Sequence, residues 1–314
     1  MPAYVPAIEA FEAFVPRQPA AIDDAVSRLG ISRNQLKVFR RVHGLAQVRW
    51  DPGLALLDMI SIPAEAVLAA AGDRGCVRYL IYAHTAPDVA PAGVEATQLL
   101  RARLGLAHAE AFAVTQQACA SGLAAIDIAA QLLLAGGDPA ARALVVTGEK
   151  PATRFLSLIP GTSVMGDGSG ACLVNISGDG MRIRSFSSKT DGRYAQLLNP
   201  PPGVVADFYA TYATAVAATM RETVARAGLR LADIEMIVPH NVNVSSWQRV
   251  ISELGVSADR VYLGNVPRYG HCFCSDALLN LASMRTQGRL SRGGVYLLVA
   301  VGLGAVYAAM AIGG

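Results

Sequence analysis

The chain has 314 residues, of which 53% are hydrophobic and 16% are charged, and its formal net charge is +3. A chain this apolar buries a large core, which excludes intrinsic disorder, and its length suits one large domain or two fused halves. The small net charge, without Lys/Arg clusters interleaved with aromatic residues, excludes the usual footprint of a nucleic-acid-binding protein.

The cysteines predict a protein of a reducing compartment. Their number is odd and their spacing irregular, which argues against the disulfide framework of a secreted protein and against a zinc-type pair: Cys76, Cys119, Cys172, Cys272 and Cys274. Residues 1–16 show no basic stretch followed by an apolar core. We therefore expect no signal peptide, no metal site and a cytoplasmic location.

Strand and helix patterns alternate along the first half of the chain. Apolar runs predict strands, and longer apolar patterns that end at glycine predict helices. The predicted strands are 78–85, 111–116 and 142–149, and the predicted helices are 94–105 and 121–137. This alternation is typical of an α/β protein with buried sheets.

The second half repeats this order of elements. It predicts strands at 181–188 and 234–241 and helices at 207–227, 245–255 and 276–290. We place a boundary near Gly178, which gives an N-terminal half at 1–178 and a C-terminal half at 179–314. The final run, 295–314, is uncharged and long enough to span a membrane. Because Gly302 and Gly304 interrupt it, we expect two buried strands joined by a turn instead.

Cys119 lies directly between a predicted strand and a predicted helix. A helix N-terminus favours the reactive thiolate and offers free backbone N–H groups to an oxyanion. The position therefore suits a nucleophile. The alternative is a structural cysteine, because free cysteines are often buried.

Three further residues and one turn suggest a catalytic site. His240 ends a strand and opens a helix in the second half, as Cys119 does in the first. His271 precedes a helix, and Asp276 either caps that helix or orients His271 by a hydrogen bond. The turn at Gly302–Gly304 either supplies an oxyanion donor or only requires the torsion angles of glycine.

Five stretches together resemble a known family. In this order and spacing they are similar to the ketosynthase III-type (β-ketoacyl-ACP synthase III-type) members of the thiolase superfamily, and the resemblance runs from about Leu45 to the end. The stretches are QQACASG (116–122), VMGDGSGACLV (164–174), VPHNVN (238–243), PRYGHCFCSD (267–276) and LLVAVGLGA (297–305).

The resemblance implies a thiolase fold, which is a five-layered αβαβα sandwich of two pseudo-duplicated halves, in a homodimer. It implies that Cys119 accepts an acyl group from an acyl carrier protein (ACP) or CoA thioester, without a tightly bound cofactor, and that His240 is catalytic. The oxyanion hole would combine the N–H of Cys119 with one from the Leu303–Gly304 turn. Asn243 matches a position near the pantetheine arm.

One departure from the family concerns His271, where the family has an asparagine in a YGN motif. A His followed by an Asp resembles members that transfer acyl groups to oxygen or nitrogen. A His alone also resembles the elongating ketosynthases, which use one Cys and two His. Asp276 favours transfer, because it would make His271 a better general base. We therefore expect Asp276→Ala to permit acylation of Cys119 but to slow transfer to the acceptor.

Two other departures concern the substrate. The family's tryptophan that stacks on the CoA adenine is missing from QLKVFRRVHG (35–44), which favours an ACP-bound donor. Arg40, Arg41 and Arg154 either meet a phosphopantetheine phosphate or an acidic carrier surface, or are ordinary solvated side chains. Ala90 stands where related enzymes often place a bulky residue that reaches across the dimer. A small residue there predicts a roomier acyl pocket.

Three functions remain open from the sequence. The leading hypothesis is an acyltransferase of specialised-metabolite biosynthesis that moves an acyl group from Cys119 to the O, N or S atom of a small-molecule acceptor. The second is decarboxylative Claisen condensation, which forms a C–C bond. The third is a silent partner subunit of a related enzyme. Release of CO₂ with a β-keto product distinguishes the second hypothesis from the first.

Overall fold

The structure is a computed structural model that describes residues 4–196 and 200–314, without the side chains of 25–27, 154 and 155. Its strands are β1 (Ala7–Phe14), β2 (Pro19–Ala21), β3 (Gln47–Arg49), β4 (Val77–Ala83), β5 (Glu110–Val114), β6 (Arg142–Glu149), β7 (Leu158–Ile159), β8 (Ser163–Val164), β9 (Gly168–Asn175), β10 (Met181–Thr190), β11 (Met236–Pro239), β12 (Val295–Gly302) and β13 (Val306–Gly313). Its helices are α1 (Ile22–Leu29), α2 (Arg33–Arg41), α3 (Leu56–Ala71), α4 (Ala96–Arg103), α5 (Ser121–Gly136), α6 (Arg154–Ser157), α7 (Val204–Arg226), α8 (Val244–Leu254), α9 (Val266–Tyr269) and α10 (Asp276–Thr286).

Nine strands are connected in the order β11-β12-β13-β10-β1-β9-β6-β4-β5. The pairs β4/β5, β4/β6 and β11/β12 are parallel, and the other pairs are antiparallel. β1 and β10 meet at the pairs Ala7↔Arg182 and Ile8↔Met181. Two blocks result, one built from residues 7–175 and one from 181–313. The predicted boundary after residue 178 falls between them, and the division into duplicated halves stays a prediction.

The two blocks of sheet enclose a central layer of helices. α5 packs against β4 and β6 on one side and against β12 and β13 on the other, and α10 contacts β1, β9, β11 and β12. α3 covers the outer face of the first block, and α7, with α8 against it, covers the outer face of the second. The predicted five-layered αβαβα sandwich is therefore confirmed.

Composition explains why the central elements are buried. β9, apart from its last residue Asn175, and β13 consist of apolar or small residues and are buried at every position, as expected of strands covered on both faces. α5 is apolar on nearly all sides because sheets flank it. The segment Ala118–Gly136 is also long and apolar enough to cross a membrane by composition, but 61% of its window is buried in the protein. We interpret it as a core helix.

The predicted elements between residues 78 and 290 are present, with small shifts at their ends. The uncharged run at 295–314 forms the antiparallel pair β12/β13, as predicted. The expectation that His240 opens a helix was wrong. β11 ends at Pro239 and α8 begins at Val244 with Asn243 as its N-cap, so His240 lies in the turn between them.

Candidate active site

Cys119 lies in a tight turn that holds its thiol against the second half of the protein. The turn is a short 3-10 helix, Ala118–Ala120, between β5 and α5. Ala118 has φ = +47°, which is a strained backbone angle for a residue other than glycine. Functional sites tolerate such strain when the surrounding structure holds the backbone in place. The carbonyl oxygen of Gln117 lies so close to Gly302 that any Cβ at Gly302 would collide with it. The Cys119 turn and the end of β12 are thus packed backbone against backbone.

His271 lies within reach of the Cys119 sulfur. Its Nε2 is 3.2 Å from Cys119 Sγ, and its Nδ1 is 2.5 Å from Asp276 Oδ2. His271 and Asp276 are each 1% exposed. The three side chains form a line of thiol, imidazole and carboxylate, which is the arrangement of an activated nucleophile, its base and the group that orients the base.

The electrostatics of this line favour a charged imidazole. Burial alone would lower the pKa of His271, but the Asp276 carboxylate and the Cys119 sulfur outweigh it and raise that pKa to about 10. A protonated His271 can donate to both neighbours. The protonation of His271 therefore depends in part on whether the Cys119 sulfur carries a charge.

Asp276 is held by donors that come from outside its own helix. Its Oδ1 accepts from the backbone N–H of Cys272 at 2.8 Å and from Asn241 Nδ2 at 3.2 Å. Its Oδ2 accepts from the backbone N–H of Asn241 at 2.5 Å as well as from His271. Asn280 Nδ2 in turn donates to Asn241 Oδ1 at 3.0 Å. This geometry favours the orienting role of Asp276 over helix capping.

His240 approaches the site from the second half. Its ring centroid is 5.6 Å from that of His271, and its Nε2 is 3.5 Å from Tyr212 Oη. Burial, followed by the charge of His271, lowers the pKa of His240 well below its usual value, so this imidazole is neutral. Trp247 packs edge-on against the ring and donates its Nε1–H to the His240 carbonyl at 2.9 Å, which fixes the turn.

Cys119 and His271 border a cavity of about 700 Å³. Its lining comes mainly from the first turns of α7, the segment 158–162 and the end of β12. The residues that line it are Cys119, Leu158, Ile159, Pro160, Thr162, Pro200, Val205, Phe208, Tyr209, Tyr212, His240, Val242, Ser246, His271, Val301 and Leu303. A mostly apolar chamber with a few convergent polar groups is the usual form of a small-molecule site.

Family models match the chain on both sides of this site. The model of the C-terminal part of 3-oxoacyl-[acyl-carrier-protein] synthase III matches residues 224–313, and the model named for the enzyme itself matches residues 115–192. Together they span Cys119, His240, His271 and Asp276. The chain belongs to the 3-oxoacyl-[acyl-carrier-protein] synthase III family. This is a family of transferase-type enzymes, and the match confirms the resemblance seen in the sequence.

Individual relatives agree with this assignment. The chain is 29% identical over 295 residues to β-ketoacyl-[acyl-carrier-protein] synthase III 2 of Streptomyces coelicolor, covering 91% of this chain and 83% of the relative. It is 30% identical to the synthase III of Laribacter hongkongensis over 76% of this chain and 78% of that one. The solved structure of ChlB3, an acyltransferase, superposes with a TM-score of 0.87 at 21% identity, covering 98% and 97% of the two chains. This superposition confirms the thiolase fold.

The remaining residues predicted for the site differ in their placement. Leu303 lines the cavity, and Gly304 follows it with φ = +128°, so the turn that was expected to supply an oxyanion donor borders the chamber. Asn243 is buried beside the chamber. Its Oδ1 accepts from the Ser246 N–H at 2.7 Å and from Ser245 Oγ at 2.9 Å, while its Nδ2 donates to Thr162 O at 3.1 Å. Contact of Asn243 with a pantetheine arm stays a prediction.

Of the other residues predicted to meet the substrate, Ala90, Arg40 and Arg41 are not among those that line the cavity of Cys119. Ala90 lines a second cavity of about 540 Å³ together with Lys150 and Asp167, and its expected role across a dimer stays a prediction. Arg40 pairs with Asp23 at 3.1 Å on the surface. Arg41 is exposed, and the side chain of Arg154 lies outside the described residues.

Sequence reasoning missed several residues of the candidate site. Asn241 holds Asp276, yet it was passed over as the middle of VPHNVN. The α7 wall was also missed, although Val205, Phe208, Tyr209 and Tyr212 follow the i, i+3, i+4, i+7 spacing of one helix face. That spacing was a usable signal, because a helix face with a large apolar and aromatic stripe must be covered by other parts of the protein or by a ligand.

Proposed function

We propose that this protein is an acyltransferase that loads an acyl group from an ACP or CoA thioester onto Cys119 and transfers it to the O, N or S atom of a small acceptor. The observation that carries the proposal is the pair His271–Asp276 in contact with the Cys119 sulfur. The pair gives the acyl-enzyme a base that is already beside the acyl group.

Before loading, the Sγ proton already lies on His271 Nε2, and Asp276 stabilises the imidazolium. The Cys119 thiolate attacks the thioester carbonyl carbon. Backbone N–H groups of Cys119 and of the 303–304 turn would bind the oxyanion. The C–S bond of the donor then breaks, and the imidazolium returns its proton to the leaving thiolate, so that free pantetheine thiol departs.

In the transfer step, loading itself prepares the base. The Cys119 sulfur is one of the causes that raise the pKa of His271. Once that sulfur is acylated, it no longer contributes a charge, and the pKa of His271 falls towards the range of a working base. His271 can then take the proton of an alcohol, amine or thiol as its heteroatom attacks the acyl carbon. Cys119 leaves as a thiolate and recovers the proton.

The cavity supports an apolar acyl group. Its walls are built from aliphatic and aromatic side chains such as Leu158, Val205, Phe208 and Val301. The relatives are named as synthases that act with an acyl carrier protein, and ChlB3 is named as an acyltransferase. On these grounds we propose an ACP partner as the main source of the acyl group. From the family resemblance alone, we also propose a homodimer in the cytoplasm as the working form.

Decarboxylative condensation is the second candidate. The observation that favours it is that two imidazoles line the cavity of Cys119, with His240 and His271 at 5.6 Å between ring centroids. Two histidines can hold the enolate that forms when a malonyl thioester loses CO₂. In that reaction the acyl group of Cys119 would move to carbon, and the product would be a β-keto thioester.

A competition between acceptors tests the proposal. Cys119 is first acylated, and the loaded protein is then offered carboxyl-labelled malonyl-ACP or a panel of alcohols, amines and thiols. We expect an ester, amide or thioester to form without loss of labelled CO₂. Release of CO₂ in step with a β-keto product would instead assign the protein to the condensing enzymes.

A further inference from the structure

Three buried asparagines form a chain of hydrogen bonds that ends at Asp276. Asn265 Nδ2 donates to Asn280 Oδ1 at 2.8 Å, and Asn280 Nδ2 donates to Asn241 Oδ1 at 3.0 Å. Asn241 Nδ2 then donates to Asp276 Oδ1 at 3.2 Å. Each asparagine is 0% exposed. The chain begins at the N-cap of α9, passes through α10 and reaches the turn after β11, so it connects three elements around the candidate site.

The direction of each amide follows from partners that can only accept. A backbone carbonyl has no hydrogen to give, and Asn280 Nδ2 lies 2.6 Å from the Pro239 carbonyl oxygen. This end of Asn280 is therefore its NH₂ group, and its oxygen faces Asn265. An ionised carboxylate also only accepts, so Asn241 presents its NH₂ group to Asp276 and its oxygen to Asn280. All three amides thus donate in one direction, towards the carboxylate.

Asn280 decides this direction, because both of its N–H groups and its oxygen are engaged. The N–H groups go to Pro239 O and Asn241 Oδ1, and the oxygen accepts from Asn265. Asn280 follows Asp276 by four positions in α10, so the two side chains lie on the same helix face. If the Asn241 amide turned around, its NH₂ group would face the NH₂ group of Asn280, and its oxygen would face the carboxylate of Asp276.

We propose that Asn280 is a positioning residue of this site: it fixes the Asn241 amide so that an N–H, and not an oxygen, faces Asp276, and this keeps the carboxylate aligned with His271 Nδ1. Aligned hydrogen bonds polarise one another, so Asn280 also strengthens a hydrogen bond in which it takes no direct part. No covalent bond to Asn280 forms or breaks. The inference rests on the proposed function, in which His271 serves Cys119.

Asn280→Leu tests this role, because leucine has the same branching but no donor or acceptor. The matched control is Asn175→Leu. Asn175 is also 0% exposed, and its Nδ2 donates to Glu9 Oε2 at 3.0 Å and to Asp179 O at 2.9 Å, while its Oδ1 accepts from a backbone N–H. The control therefore loses the same number of buried hydrogen bonds at a position that does not line the 700 Å³ cavity.

Two readouts separate positioning from stability. The first is the rate constant for acylation of Cys119, measured by intact-protein mass after rapid quenching. We expect a fall of about 10-fold or more for Asn280→Leu, because one hydrogen bond to a charged group is worth about that factor, and the parent rate for Asn175→Leu. The second is the low-field ¹H NMR resonance of the His271 Nδ1–H, which reports the hydrogen bond to Asp276 in the unloaded protein. It should move in Asn280→Leu and stay in place in the control.

Asn280→Asp is a second variant that keeps the shape of the side chain, in case the fold does not accept leucine. An aspartic acid has at most one hydrogen to give, and the Pro239 carbonyl, 2.6 Å from Asn280 Nδ2, takes it. Asn241 then has no donor at its Oδ1 and turns its NH₂ group towards position 280. We expect the same loss of rate and a shift of the same resonance.

The outcomes separate the two proposals. If the parent is acylated and the Asn280 variants load at the parent rate, or load more slowly with an unchanged resonance, the role of Asn280 is wrong and the function stands. Equal effects of Asn280→Leu and Asn175→Leu on both readouts would also overturn the role. If no donor acylates the parent, the proposed function fails, and the resonance decides the role of Asn280 alone: a shift confined to the Asn280 variants supports it, and no shift overturns it.

Discussion

Replacing Asp276 with asparagine should disable Cys119 already in the loading step. The carboxylate of Asp276 receives hydrogen bonds from His271 Nδ1, the backbone N–H groups of Asn241 and Cys272, and the Asn241 side chain. All of these groups are donors. An asparagine has the same shape but only one acceptor oxygen, so its NH₂ group must face donors. His271 can escape by moving its proton to Nε2, and it then cannot accept the proton of the Cys119 thiol.

The size of the effect follows from burial. His271 and Asp276 are each 1% exposed, so solvent does not screen their interaction. Breaking one partner of a buried charged pair costs about 3–5 kcal/mol, which corresponds to a rate loss of roughly 10²–10⁴-fold if the loss falls on the transition state. The same change should return the pKa of His271 from about 10 towards its ordinary range, because the carboxylate charge is removed.

The assay is single-turnover acylation of Cys119, with Asp127→Asn as the matched control. Asp127 is a part-buried aspartate of α5, and it lines a cavity separate from that of Cys119. Thermal unfolding of both variants verifies that the fold is kept. We expect Asp276→Asn to lose about 10²-fold or more in loading while the control keeps the parent rate. Loading of Asp276→Asn within about threefold of the parent would refute the role assigned to the carboxylate.

Two further predictions concern the backbone and the pH. Gly302→Ala should abolish loading and lower the unfolding midpoint, because its Cβ would push the Cys119 turn away at Gln117. In the control Gly136→Ala the new Cβ meets nothing within 4 Å, so the loading rate and the unfolding midpoint should be kept. Equal activity of the two variants would contradict the packing argument. Burial, opposed by backbone N–H donors, raises the pKa of Glu149 from 4.5 to about 7, so its ionisation costs stability as the pH rises through that window. Urea unfolding should show the parent losing about 3 kcal/mol relative to Glu149→Gln between pH 4.5 and 8, and a constant difference would disprove the buried carboxylate's role.

The sequence was sufficient for those parts of the protein whose signals are local. The strand–turn–helix around Cys119 could be read because an apolar strand, small residues and an apolar helix follow one another directly. The pair β12/β13 could be read because two glycines interrupt an uncharged run. In contrast, β1 lies near the middle of the sheet between β9 and β10, and proline residues at both of its ends hid it. α3 was also passed over, since Pro63 lies inside it.

The parts of the site that depend on distant contacts could not be predicted in this way. His271 and Cys119 are 152 positions apart, and only the fold shows that their side chains touch. The sequence therefore led us to expect that Asp276→Ala would spare loading. The contact changes this expectation, because the base that Asp276 orients also serves the thiol. Asn241 and Asn280 were missed for the same reason, since each acts on a residue of another element.

The measurement that tests the account most directly is the intact mass of the protein after incubation with acyl-ACP and acyl-CoA thioesters, beside Cys119→Ala. We expect an acyl adduct on the parent that is absent from the variant and that is lost when an acceptor is added. No adduct on the parent with any donor, or an equal adduct on the variant, would contradict the assignment of Cys119 as the nucleophile.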